Sequence, residues 1–583
     1  MESDFRVGTW LVQPQLNSVS QNGIGARLEP KAMQVLVRLA ESADRVVPKD
    51  RLLRAVWGDT FVTEDVLTRS ISALRRAFHD SAQQPRFIQT IPKGGYRLIA
   101  NVEWVDRKPD VESVAVLPFV NASGDSELEY LSDGIADSIT HWLSQLPQLR
   151  VIARSTAYRY KGREGDAQGV GKELSVRSVL TGRIVRRGEA LVLRAELVDV
   201  VHGWQLWGDQ FVRQRGDVLT LEDEIARKIS ATLQLRLTGE QQEHLARRPT
   251  ADHDAYHLYL KGQYLCNRRN DASLKKAIEF FGRAVTRDPR YALAYVGLAD
   301  SYALLACQVA FGSLDPQEAQ PKATVAARKA LDLDEGLAEA HASLGNVLAS
   351  YDWNWSAAEQ EFRRAIELNP RYAAAHHWYA EMLSYVRRLD EAFREIHLAL
   401  ELDPLSLAIN TDAAWILYCA RQYDAAVEQL RKVLDLEPEF LPARTLLAVT
   451  YEMKGEQETA LAEFQVAQRL FRQASIPVAM RGYVLAAGGE EDRRKGLREL
   501  QELGQLCSPE RRILRNGDMP ACCLAAYYLH SGETARALDH LEKAVAERSN
   551  WLAYLAVDPV FDGLRTEPRF QELVRRVGLP AET

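Results

Sequence analysis

Three stretches of this 583-residue chain hold side chains whose type and spacing could do chemistry. The first is TEDVLTRSISALRRAFHD, residues 63–80. Leu67, Ile71, Leu74 and Phe78 recur there at helical spacing, which makes one face apolar and directs it inward. The opposite face carries Arg69, Ser72, Ala73 and Arg76, with Arg75 on its flank. Arg reaches guanine edges or phosphates and Ser bonds to either, so such a helix suits the major groove of duplex DNA. A solvated basic face has the same composition, and the helix alone does not separate the two. The surrounding charge is consistent with either: Val66 to Lys108 holds eight Lys and Arg against three Asp and Glu.

The second stretch, GREGDAQGVGKEL at 162–174, has the glycine content of a phosphate cradle. A P-loop needs Gly, four residues, then Gly-Lys-Ser/Thr. Asp166 stands at the first glycine position and Glu173 at the hydroxyl position, so nucleotide hydrolysis is not expected. The third is the adjacent pair His376–His377. On a helix the two side chains diverge by about 100° and do not chelate one metal, so they read as core or groove positions. Trp204 and Trp207 read as sheet-packing aromatics rather than a ligand cleft. No zinc spacing, nucleophile elbow or kinase signature is present. The expectation is a protein without metal, cofactor or catalytic residues, and not an enzyme.

The elements that must position the basic helix can be read around it. FRVGTWLVQP, SVSQNG and ARLEP read as short strands with turns between them. LEPKAMQVLVRLAES is an amphipathic helix with Pro30 at its start, and PKDRLLRAVWG a second, opened by Pro48 and closed by Gly58. The 63–80 helix is the third, with Thr63 as its N-cap. RFIQTIPKGGYRLIA is a hairpin turning at PKGG. Residues 105–112 are polar and read as a linker. Residues 113–240 alternate strands and helices and read as a small α/β domain.

From residue 254 a 34-residue period takes over. Pro370, Pro404 and Pro438 keep this step, as do Ala358, Ala392, Ala426 and Ala460, and Ala365, Ala399, Val433 and Ala467. Phe362, Ile396, Leu430 and Phe464 sit between the two small-residue series. Earlier copies fit Ala277, Phe281 and Ala284, and Ala323, Ala327 and Ala330; the latter contains a large insertion, ACQVAFGSLDPQEAQ. A late copy fits Ala537, Leu541 and Ala544, giving about eight units over 254–575, closed by a capping helix. The expected fold class is therefore multidomain α+β and all-α: an N-terminal domain of short strands, three helices and a hairpin, a small α/β domain and a C-terminal α-solenoid.

Composition agrees with soluble globular domains: 46% hydrophobic and 26% charged residues, with a net charge of -7. That excludes a mostly disordered chain or a disulfide-dense scaffold. The six cysteines all lie from residue 266 onward, none in a CxxC pair, and read as buried thiols. With neither a signal peptide at the N-terminus nor an apolar run long enough to span a bilayer, the expectation is a cytoplasmic protein with no membrane partner. The acidic total is unevenly spread. Residues 1–107 hold fifteen basic against twelve acidic residues, so the rest carries the negative excess.

RLEPKAMQVLVRLAES, VPKDRLLRAVWGDTFVTEDVLTRSISALRRAF and TIPKGGYRLI together resemble the OmpR/PhoB-type winged-helix domain, in the version found in CadC-like regulators. This places a DNA-binding domain at 1–104. The resemblance implies that Arg69, Ser72, Ala73, Arg75 and Arg76 face the major groove, and that Thr90, Lys93 and Tyr96 belong to the wing. It also implies that Asp59 and Thr60 lie in a loop that contacts RNA polymerase. Residues 113–240 resemble the TolB amino-terminal-like α/β domain, and 254–575 the tetratricopeptide repeat. Projected onto that repeat, Glu339, Asn346, His377, Glu381, Thr411, Trp415, Tyr418 and Glu452 line a concave groove suited to a protein or peptide. What these resemblances imply is a one-component transcriptional regulator that binds double-stranded DNA, with a homodimer helping operator affinity. The alternative is a repeat scaffold whose winged helix docks protein.

Overall fold

The computed structural model describes residues 5–14, 18–21, 24–40, 42–57, 63–92, 94–104, 113–125, 128–146, 148–188, 190–214, 219–233, 250–306, 314–470, 475–506 and 519–580. The chain divides into two units, Met1–Val111 and Glu112–Thr583.

In the first unit, Phe5 and Val7 are buried and Arg6 between them is exposed, the alternation of a half-buried strand. This strand, β1 (Phe5–Val7), belongs to an antiparallel sheet with β2 (Trp10–Gln13), β3 (Ser18–Gln21) and β4 (Ile24–Arg27). Three helices follow: α1 (Pro30–Ala40), α2 (Lys49–Trp57) and α3 (Glu64–Ala77). The hairpin is β5 (Ile88–Ile91) and β6 (Gly95–Leu98). One strand escaped sequence reading. β7 (Val102–Trp104) pairs antiparallel with β1, Phe5 opposite Trp104, and is too short to show a period. The expected linker at 105–112 lies outside the described residues. Thr63 is the N-cap of α3, but its side chain makes no capping hydrogen bond. Glu64 and Asp65 in the first turn still complement the helix dipole.

The second unit opens with a mixed sheet. Its strands are β8 (Ser113–Val116), β9 (Val120–Asn121), β10 (Arg150–Val151), β11 (Ser178–Arg187), β12 (Ala190–Asp199) and β13 (Gln205–Gln214). β10, β8 and β11 run parallel, and β11, β12 and β13 form an antiparallel meander. All four residues of β8 are buried, because helices cover both faces. α4 (Glu129–Ser144) and α7 (Leu219–Thr232) pack on one face. α5 (Arg154–Tyr158) and α6 (Ala167–Glu173) pack on the other, through Ala157 and Val170. The glycine-bearing 162–174 stretch supplies α6, and the Asp166 carboxylate caps it by accepting from the Gly169 N–H at 3.1 Å. An acid thus occupies the amide end that a P-loop leaves open for phosphate. Trp204 is an exposed aromatic stacked on His202, ring centroids 4.7 Å apart, and not the sheet-packing residue expected.

Eight antiparallel helix pairs follow among the described residues. They are α8 (His253–Cys266) with α9 (Asp271–Arg287), α10 (Ala292–Ala306) with α11 (Pro316–Leu333), α12 (Ala338–Val347) with α13 (Trp355–Leu368), and α14 (Ala373–Tyr385) with α15 (Leu389–Leu402). Then come α16 (Leu407–Cys419) with α17 (Tyr423–Leu436), α18 (Leu441–Met453) with α19 (Gln457–Leu470), α20 (Ser475–Ala486) with α21 (Glu490–Leu506), and α22 (Met519–His530) with α23 (Thr534–Ala546). The end of the expected insertion is helix: Asp315 caps α11, which starts at Pro316. Residues 307–313 lie outside the described residues.

Two devices recur in these pairs. The first is apolar. Phe281, Phe362, Leu430, Phe464 and Leu541 are fully buried, each from a second helix, with alanines one turn before them. The Phe281 ring lies so close to α10 that a Cβ on Gly297 would stand 2.5 Å from it. The second is a polar clasp that recurs with the repeat. In four consecutive first helices, one residue bonds back to a loop carbonyl six positions earlier and forward to the second helix. His341 reaches the Glu335 carbonyl (3.0 Å) and Glu361 (2.5 Å), and His376 reaches the Pro370 carbonyl (3.1 Å) and Glu395 (2.6 Å). Asn410 donates to the Pro404 carbonyl and accepts from Gln429, while Arg444 donates to the Pro438 carbonyl and Glu463.

Two outcomes follow from these devices. Ala is the better helix former, yet Gly297→Ala should destabilise the chain by about 1–3 kcal/mol, because its Cβ overlaps the Phe281 ring; urea denaturation reads this. At His341 both ring nitrogens face acceptors. Burial works to lower its pKa, but the bonds to Glu361 and the Glu335 carbonyl outweigh it and raise it above 6.5. A raised pKa contributes stability that is complete below 6.5 and fades as pH climbs through the folded value. The stability difference between the parent and His341→Gln should therefore shrink with rising pH, as measured by thermal melts across that range.

Candidate nucleic-acid interface and solenoid groove

α3 divides cleanly by burial. Leu67, Ser70, Ile71, Leu74 and Ala77 are buried, whereas Arg69, Ser72 and Arg76 are exposed and Ala73 is intermediate. The helix therefore offers two free guanidinium groups and little else that is large. The Ser72 hydroxyl donates to the Thr68 carbonyl at 2.8 Å, which leaves its oxygen able to accept. A salt bridge from Lys49 to Glu64 (2.6 Å) ties the start of α3 to α2.

Arg75 plays a different part from the one its sequence position implies. Its guanidinium donates to the Ile88 carbonyl at 2.9 Å and to the Thr90 hydroxyl at 2.8 Å, so it fastens α3 to the wing. Asp80 does the same from the backbone side. Its carboxylate accepts from the N–H groups of Arg86 (2.7 Å), Phe87 (3.2 Å) and Ile88 (2.9 Å) and sets the turn into β5. Sequence reading missed Asp80, although an acid just after a helix and before a strand is a recurring turn signal. The wing is held on its far side by paired bonds between Val47 and Tyr96, 2.8 and 3.0 Å. Gly95 adopts φ +134° there, and a Cβ would lie 2.1 Å from the Val47 carbonyl oxygen. Consequently Tyr96 is buried, with 5% of its surface exposed, and is a wing anchor rather than a DNA-facing residue. Thr90 is exposed. Lys93, Asp59 and Thr60 lie outside the described residues.

The expected groove of the solenoid is occupied by the chain's own end. After α23, 3-10 turns at Asn550–Tyr554 and Pro559–Leu564 lead to α24 (Pro568–Arg576). Tyr554 meets Trp415 edge-on at 4.8 Å and Tyr385 at 4.8 Å, and its hydroxyl reaches Glu381 at 3.4 Å. The fully buried Tyr418 donates to Asp558 at 3.1 Å. Arg421 donates to the Val557 carbonyl (3.0 Å) and Asp562 (2.5 Å), and Trp355 to the Val577 carbonyl (3.1 Å). The tail is therefore more than a cap on the last repeat.

The groove residues named from sequence are correspondingly not an open face. His377, Thr411, Tyr418 and Glu452 are buried, and Asn346, Glu381 and Trp415 are half-buried. Thr411 bonds within its own helix, to the Leu407 carbonyl. His377 faces Asp412, Nε2 to Oδ2 at 2.6 Å. Burial alone pushes the Glu452 carboxyl up to about 7, and its Oε2 has no hydrogen-bond partner among the described residues. Glu339 is claimed by the α/β domain through His141, 3.1 Å away.

That last contact belongs to a larger junction. Thr156 donates to Asp403 at 2.7 Å and accepts from the Leu405 N–H at 3.0 Å, with Ser155 bonded to the same carboxylate. Arg159 donates to the Leu436 carbonyl (2.7 Å) and Arg371 to the Leu149 carbonyl (2.6 Å). The α/β domain and the solenoid are thus one body, although they read as separate modules in sequence.

Comparison with known proteins agrees with this geometry. Residues 23–98 match the family described as transcriptional regulatory protein, C terminal. Residues 110–229 match the HilA/YgeH-like transcriptional regulator, second domain, which gives a more specific kinship than the TolB-like resemblance. Over 378 residues the chain is 28% identical to the transcriptional regulator HilA of Salmonella typhi, covering 63% of this chain and 65% of that protein. It is 39% identical over 114 residues to the transcriptional activator CadC of Escherichia coli K12, 19% of this chain and 22% of that one. It is also 31% identical over 294 residues to a putative adenylate cyclase 3 of Rhizobium meliloti, 49% of this chain and 42% of that one. The chain spans less than two thirds of the length of each of these relatives. The winged helix thus matches the transcriptional regulatory C-terminal family and the next domain the HilA/YgeH-like family, and the chain continues from them into a solenoid of helix pairs.

Proposed function

We propose that the chain is a cytoplasmic one-component transcriptional regulator that binds promoter DNA through α3 and the wing. The observation that carries this reading is the division of α3. Its apolar side and Arg75 lock it into the domain, while Arg69, Ser72 and Arg76 stay exposed on the side a major groove would meet. Phosphate contacts dominate such binding and make it salt-dependent. One module covers only about 600–1,000 Å² of protein surface, so a homodimer on paired half-sites supplies the operator affinity. Asp59 and Thr60 are the residues assigned to RNA polymerase. Among the described residues no helix is long and apolar enough to cross a membrane.

The α/β–solenoid body is the sensing and recruiting part, and a protein or peptide ligand reaches its groove by displacing the tail. The scaffold alternative is less well supported, because the groove is self-occupied. The regulator reading also makes the chain a non-enzyme, despite its partial likeness to a protein named as a cyclase. ATP incubated with the purified chain should give no cyclic AMP; steady production would overturn that reading.

Selection from random duplex DNA with the full chain should enrich one motif. No enrichment at moderate salt from a folded chain rejects the proposal. Arg69→Ala and Arg76→Ala should each weaken binding to the selected site by about 1–3 kcal/mol if they contact bases. An arginine on phosphate instead lowers the salt slope by about one. Arg75→Ala behaves differently. It should lower the melting temperature of the N-terminal unit as well as DNA affinity, because it removes both bonds to the wing, whereas the Arg69 and Arg76 variants should melt like the parent.

A further inference from the structure

The groove beneath Tyr554 contains a constellation that neither the repeat nor DNA binding requires. His377 and Glu381 stand four residues apart on α14, and Asp412 projects from α16, the next first helix. Their ligand atoms all lie within 4.8 Å of one another, and His377 Nε2 is 2.6 Å from Asp412 Oδ2. His377 is buried and the two carboxylates are half-buried.

The repeat does not explain these residues. In the clasp register His376, Asn410 and Arg444 are equivalent, which makes His377 equivalent to Thr411 and Thr445, and Glu381 to Trp415 and Val449. By the same step Asp412 matches Trp378 and Leu446. The solenoid therefore closes equally well with hydroxyl, aromatic or aliphatic groups at these places. Among the described residues, only one turn of the superhelix concentrates an imidazole and two carboxylates. Placing two acids together away from water is unfavourable without a cation. The Glu381 carboxyl shows this: burial and the Asp412 charge both push its pKa up. Arg269 is near enough to act on His377 electrostatically.

We propose that His377, Glu381 and Asp412 form a binding site for a late first-row divalent cation, Zn²⁺ in the first instance. Side chains at i and i+4 of a helix reach one metal together, as the paired ligands of helical zinc motifs do. The third ligand comes from the neighbouring helix. One nitrogen and two carboxylate oxygens match Zn²⁺, whereas Mg²⁺ and Ca²⁺ prefer all-oxygen shells. Three protein ligands leave a fourth position for water on the side where the Tyr554 hydroxyl approaches Glu381. In the metal-free form the His377–Asp412 hydrogen bond takes the place of the shared cation. A bound ion pins α14 to α16 directly under the tail.

The test is a titration of the full chain with Co²⁺ alone, followed by Zn²⁺. One equivalent of Co²⁺ should produce the ligand-field absorption of a four-coordinate site, and Zn²⁺ should abolish it one for one. His377→Gln and Asp412→Asn should each lower the affinity by more than about a hundredfold, since even outer-shell changes cost 10–100-fold. His376→Gln should leave it unchanged, because that ring is engaged by Glu395. Absence of saturable binding, or binding that survives His377→Gln, overturns the proposal. A measurement on the unaltered chain guards against variants that fail to fold. X-ray absorption at the zinc edge of the 1:1 complex should show only oxygen and nitrogen neighbours with a single imidazole. Sulfur neighbours would assign the metal to cysteines and overturn the proposal equally.

Discussion

The close approach of two helices within each repeat is the constraint on which most of the chain depends. It is met by placing one large apolar side chain among residues with little or no side chain. Phe281 between Gly262 and Gly297 is the tightest case, and Phe362 against Gly345 is a looser one. Once the helices touch, the loop leaving each pair must turn sharply, which the prolines after the second helices allow. In four successive pairs a clasp residue then fixes the first helix to that loop. Apolar packing supplies the contact area, and hydrogen bonds to a backbone carbonyl and an opposing side chain fix the angle. Because each clasp bridges adjacent elements only, the repeat can vary its chemistry (imidazole, amide, guanidinium) without losing its geometry.

The N-terminal unit solves a related problem with charge. A recognition helix has to be held firmly while keeping an exposed face. Four basic residues on or beside α3 look alike in sequence, yet they divide by what lies opposite them. Lys49 meets Glu64, Arg75 meets a strand carbonyl and a hydroxyl, and Arg69 and Arg76 meet solvent. The local positive excess therefore overstates what is free for a polyanion. Rigidity and affinity draw on the same residue type.

What could be read from the sequence followed how local each signal was. The 34-residue step and the stripe Leu67–Ile71–Leu74 are periodic, and periodic signals survive without knowledge of the partner surface. The false P-loop was also legible, because two positions carried the wrong chemistry, and Asp166 proved to be a helix cap. The misses share a cause. Tyr96, Arg75 and Asp80 owe their roles to contacts across a turn or hairpin. The burial of Tyr418 and Trp415 depends on Tyr554 and Asp558, more than a hundred residues away. No spacing rule connects such positions. The junction of Thr156 with Asp403 is equally silent in sequence, since Ser and Thr in a short helix and Asp at a helix end are common for many reasons.

The self-filled groove has a thermodynamic corollary for anything that would bind there. A covalently attached segment competes at an effective concentration set by its tether, of order millimolar for a short connection. A free partner at about micromolar concentration must then out-bind the tail by roughly a thousandfold to displace half of it. Occupancy under such competition follows the product of partner affinity and concentration, so a weak peptide would have to be correspondingly concentrated to enter. The tail would set the level that this product has to reach.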